Sequence, residues 1–99
     1  MRRCERAEKE ISNWKSKFRL LKDWEIEFDT ESEFKDQSSL NTVEEYGIIY
    51  DSSFERMPKD YIFHEVLHFA CAVVRNKKGR AQREAEEIMV QDLCLIVYP

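Results

Sequence analysis

Apolar positions fall into three rhythms along the chain. Cys4, Ala7, Ile11, Trp14, Phe18 and Leu21 are spaced three and four apart, a single stripe on a leading helix within residues 1–22. Trp24-Glu25-Ile26-Glu27-Phe28 alternates apolar with acidic and predicts a half-buried strand. Residues 31–42 are polar, with Phe34 and Leu40 as anchors, and read as a loop with at most a short strand. Tyr46-Gly47-Ile48-Ile49-Tyr50 is a second strand, closed by Asp51-Ser52-Ser53, so residues 23–53 predict a hairpin or small, mostly antiparallel sheet. Pro58 suits the first turn of a helix. From Tyr61 to Val74 apolar residues occur all round, which predicts a helix buried on most sides. Asn76-Lys77-Lys78-Gly79 ends it, and a last helix over residues 80–97 follows, antiparallel to its neighbour.

These elements give one α+β domain over residues 1–99: a leading helix (1–22), a small sheet with its loop (23–53) and two helices (58–97). The formal net charge is −4 and the pI about 5.2, which argues against a nucleic-acid binder working through a broad phosphate-binding face. No apolar run approaches the roughly 20 residues of a membrane helix, and no membrane partner is expected. Cys4, Cys71 and Cys94 are odd in number and lack C-x-x-C spacing; they read as inert thiols, Cys71 and Cys94 as small hydrophobes, in a reducing, cytoplasmic setting. The leading helix is also a candidate contact for a protein partner.

A small core has little room for ionisable groups, and this makes one segment informative. His64, Glu65 and His68 are the only charged or imidazole residues between Tyr61 and Val74. Two histidines four apart lie about 40° from each other on a helix, where both can reach one ion, with Glu65 beside them to act on a water. The chain has two histidines, and chance placement in this H-E-x-x-H pattern is roughly 0.3%. A zinc site that catalyses needs a third protein ligand and an open position. With no third histidine, the candidates are downstream carboxylates. Glu84, Glu87 and Gln91 form a polar stripe, whereas Glu86 shares a face with Val90, Leu93 and Val97, so Glu86 is preferred and Glu87 second.

The segments His64-Glu65-x-x-His68 and Glu86-Glu87-x-x-Val90-x-x-Leu93 resemble the gluzincin metallopeptidases, which pair an H-E-x-x-H helix with a glutamate helix. The size and order of elements look like the minimal, single-domain minigluzincins and the phage-encoded or archaeal minimal zincins. That resemblance implies a zincin-like fold, one zinc ion held by His64, His68 and Glu86, Glu65 as general base, and hydrolysis of a protein or peptide substrate. Val90 departs from the pattern, standing where gluzincins often carry a polar residue that supports the ligands. Tyr46, Tyr50, Tyr61 and Tyr98 are candidates for stabilising an oxyanion, with no signal choosing among them. The alternatives are a latent peptidase and a non-catalytic zinc-binding regulatory or interaction module.

Overall fold

A computed structural model describes residues 5–29, 37–50 and 60–99. Cys4, Pro58 and Asp51-Ser52-Ser53 lie outside the described residues. The elements run α1 (Glu5–Lys15), a 3-10 turn (Arg19–Leu21), β1 (Glu25–Asp29), β2 (Gln37–Asn41), β3 (Tyr46–Tyr50), α2 (Tyr61–Arg75) and α3 (Gly79–Val97). Among the described residues the architecture is α+β, with three α-helices and a three-stranded sheet. None of the described helices is long and apolar enough to cross a membrane.

The leading stripe folds in two pieces. α1 stops at Lys15, and the chain tightens into the 3-10 turn. The stripe survives the break: Ala7, Ile11, Phe18 and Leu21 are buried, and Trp14 packs on Phe63 of α2 with ring centroids 4.6 Å apart.

The sheet is mixed, which corrects the mostly antiparallel expectation. Its order is β1-β3-β2, with β1 parallel and β2 antiparallel to β3. The reason lies in β2, whose sequence Gln-Ser-Ser-Leu-Asn is too polar to announce a strand yet suits an edge. β2 forms the hairpin with β3, and β1 takes the other side of β3. Asn41 Oδ1 shapes the hairpin turn by accepting the Val43 and Glu44 N–H groups at 3.0 and 3.1 Å.

Trp24 and Phe28 are buried and Ile26 half-buried, as the alternation predicts. In register, Ile26 faces Gly47 and Phe28 faces Ile49, which gives the sheet one core-facing side. Phe69 of α2 lies so close to β3 that a Cβ on Gly47 would stand 2.9 Å from its ring. The Phe69 ring also stacks on Trp24, with centroids 6.1 Å apart. Phe18, Leu21, Ile49, Ile62, Val66 and Phe69 fill the centre.

α2 and α3 are joined by residues 76–78, and Gly79 adopts φ +58, a left-handed conformation that favours glycine. The helices run antiparallel: Gln82 Nε2 donates to Val74 O at 3.3 Å, and Cys71 Sγ lies 3.9 Å from Met89 Sδ. α2 is less enclosed than its composition predicts. It buries Tyr61, Ile62, Val66 and Phe69 but presents His64, His68 and Arg75 to solvent. Cys71 is half-buried, whereas Cys94 is exposed and so does not behave as a core hydrophobe; both are free thiols.

Candidate metal centre

Packing fixes the phase of α2, and the phase decides where its polar groups point. With Ile62, Val66 and Phe69 driven into the core, His64 and His68 fall on the exposed stripe, one turn apart. The start of the helix is tied to the sheet, because the Tyr61 hydroxyl donates to Tyr50 O at 2.9 Å. The His64 and His68 Nε2 atoms stand 3.0 Å apart, with the rings edge to face at 78°. Two nitrogens at that distance cannot both aim lone pairs at each other; one donates a proton, or both face a cation. Two imidazole ligands of a tetrahedral zinc would stand about 3.3 Å apart, so the pair fits one ion with a small adjustment.

Glu65 is 7% exposed as a residue, and among the described residues no side-chain oxygen is both fully buried and unpartnered. It sits on the helix between Tyr61 and Phe69, both buried, at the border where the core side of α2 meets the histidine stripe. The expectation of three buried polar groups in register is therefore corrected: one carboxylate is buried, and the two imidazoles beside it are open to solvent.

The structure does not bring the α3 carboxylates to this pair. Glu86 and Glu87 are exposed, and among the described residues no three His, Cys, Asp or Glu side chains converge as a metal-holding group. The Cys71–Met89 contact sets residues 71 and 89 level. Glu86 lies three residues before Met89 and His68 three before Cys71; in antiparallel helices these offsets add to roughly 9 Å along the axis. Glu87 accepts from Gln91 Nε2 at 3.4 Å and lines a groove toward residues 16–19.

The predicted inward face of α3 is also out of phase. Leu93 packs against the core as expected, but Val90 and Val97 are 44% and 64% exposed, while Ala85 and Asp92 are buried and Met89 and Ile96 pack against the core. The acid on the inward stripe is Asp92, and a cation within the chain compensates it. Its carboxylate accepts the Arg19 N–H at 2.9 Å and Arg19 Nε at 3.0 Å, anchoring the 3-10 turn to α3. The signal was present as the stripe Ala85, Met89, Asp92, Ile96, one residue removed from the stripe through Glu86.

The tyrosines are engaged elsewhere or exposed. The Tyr46 hydroxyl donates to Glu27 Oε2 at 2.6 Å across the sheet. That hydrogen bond, with partial burial and the charges of Glu27 and Glu25, pushes the Tyr46 phenol up to about 12. Tyr50 is half-buried and Tyr98 is exposed beyond the end of α3. No protein-family model, curated protein or solved structure matches the chain.

Proposed function

We propose that the chain is a zinc-dependent metallopeptidase of zincin-like design, with His64 and His68 as ligands and Glu65 as the general base. The observation that carries this reading is the pair of Nε2 atoms 3.0 Å apart on an open helix face, with Glu65, 7% exposed, next to His64 on the same helix. A divalent cation at the histidines would lie close to the Glu65 carboxylate and favour its charged form.

When bound, zinc supplies a Lewis acid that polarises a carbonyl oxygen and lowers the pKa of water. His64 and His68 would hold it through Nε2. Glu65 would take a proton from the attacking water and return it to the leaving amine, as a general base and then a general acid. Glu86, with Glu87 second, is the candidate third ligand; both are exposed on α3, and among the described residues neither joins the histidines in a three-ligand group. β2, the polar edge strand beside β3, offers main-chain groups to an extended peptide, which supports a peptide substrate. Free Cys71 and Cys94 suit a reducing, cytoplasmic setting.

The test is zinc content and peptide-library hydrolysis, measured together. Wild type should carry one equivalent of zinc, lost in His64→Ala/His68→Ala, while Glu65→Gln keeps the metal and loses hydrolysis. No zinc after loading at neutral pH would overturn the proposal. Zinc retained with equal, nil hydrolysis in wild type and Glu65→Gln would favour the non-catalytic module. Loss of the ion in Glu86→Ala alone, or in Glu87→Ala alone, assigns the third ligand.

A further inference from the structure

The end of α3 presents a surface that the other described residues leave open. From Leu93 to Pro99 the chain carries no charge, yet Leu95 and Tyr98 are 66% and 80% exposed. A helix apolar on every side is ordinarily enclosed. Here Val90, Cys94, Leu95 and Tyr98 form one wall of a groove of about 910 Å³, and Ser16, Lys17 and Arg19 lie across from it. A smaller pocket of about 380 Å³ shares Ser16 and Arg19 and adds Lys15 and Lys22 over a floor of Phe18.

Charge is segregated toward this place. Four cations, Lys15, Lys17, Arg19 and Lys22, line the two concavities against two carboxylates, Glu87 and Asp92. That is a local positive surplus in a chain of net charge −4. Asp92 and Arg19 neutralise each other, and among the described residues Lys15, Lys17 and Lys22 make no ion pair.

We propose that this groove docks an acidic amphipathic helix from a protein partner. Val90, Cys94 and Tyr98, at i, i+4 and i+8 along the groove wall, form a ridge of the kind that packs against a second helix. The lysine rim meets carboxylates on the flanks of that helix, which sets orientation and speeds encounter. The concave shape favours a helix over a lipid surface, since a flat bilayer leaves the groove unfilled. The docking site shares no residue with the histidine pair, Glu65 or Glu86; Glu87, the second candidate for third ligand, is the one lining residue common to both readings.

The probe is an 18-residue labelled peptide with Leu at heptad positions a and d, Glu at b, e and g, and Gln elsewhere; its control carries Lys in place of Glu. Fluorescence anisotropy on the full chain should show the Glu peptide binding at least 10-fold tighter than the Lys peptide. Lys15→Glu/Lys17→Glu/Lys22→Glu should weaken it at least 10-fold, as should Leu95→Asp/Tyr98→Asp. The equal charge change Arg75→Glu/Lys77→Glu/Lys78→Glu should leave binding within 2-fold. Circular dichroism confirms that each variant is folded, and amide shift changes in wild type should fall in residues 16–22 and 87–98. The proposal is overturned by equal affinity for the two peptides, by shifts elsewhere, or by equal weakening in the control variant. Binding to phosphatidylglycerol vesicles without binding to the Glu peptide overturns it as well.

Discussion

Replacing Asp92 by Ala tests which acid on α3 the fold depends on. Asp92 is 4% exposed and accepts two hydrogen bonds from Arg19, one from the backbone and one from the guanidinium. Hydrogen bonds involving a charged group contribute about 1.5–3 kcal/mol each when buried. The Arg19 side chain is 59% exposed, so water replaces much of its share and the guanidinium bond falls below about 1 kcal/mol. The backbone bond is the larger part, giving about 2 kcal/mol for Asp92→Ala and about 1 for Asp92→Asn, which keeps one acceptor. At 4–8 °C per kcal/mol for a domain of this size, Asp92→Ala lowers Tm by about 8–16 °C. Urea unfolding followed by tryptophan fluorescence gives the free energy, with an unchanged slope showing that the folded state is otherwise intact. Arg19→Met should also destabilise, because it keeps the backbone N–H bond but leaves the buried Asp92 carboxylate without its cation. Glu86→Ala, at an exposed site, should stay within about 0.5 kcal/mol of wild type. A loss under 0.5 kcal/mol for Asp92→Ala, or a larger loss for Glu86→Ala, would refute the assignment of the inward face.

Gly47→Ala places a methyl against the Phe69 ring, which also stacks on Trp24, and should destabilise by about 1–3 kcal/mol in the same urea assay. Glu45 holds φ 53 in the β2–β3 turn, so Glu45→Gly should raise stability by about 1 kcal/mol. Tyr46 titrates near 12 in the folded chain against about 10 when unfolded. Its contribution is therefore full below pH 10 and disappears as pH rises from 10 to 12. Absorbance at 295 nm should show this late step, and Tyr46→Phe should remove it.

Legibility in the sequence followed how strongly burial acts on each segment. Trp24, Ile26 and Phe28 read correctly because alternate positions face the core. α2 read correctly as a helix because Ile62, Val66 and Phe69 must be enclosed. β2 did not, since an edge strand needs few apolar residues, and without β2 the parallel pairing of β1 with β3 could not be foreseen. The H-E-x-x-H spacing brought His64 and His68 together, since helix geometry alone places i and i+4 side by side. Their exposure depended on the neighbours of α2, which the helix cannot report. On α3 a rotation of one residue separated the stripe through Glu86 from the stripe through Asp92, and apolar residues on every side left that phase undetermined. The principle that an inward acid needs a positive partner held; the partner is Arg19.

The central place of β3 has a consequence for the route by which the chain folds. β2 and β3 are joined by a four-residue turn and can zip locally, whereas β1 must await β3, its partner 21 positions onward, at Tyr46 for Glu25. Closing a longer loop carries a greater entropic cost before any contact rewards it, so the hairpin is the natural nucleus and β1 the late arrival. Substitutions at Asn41 should thus slow refolding, while substitutions at Phe28 should mainly hasten unfolding, a division that stopped-flow kinetics can read.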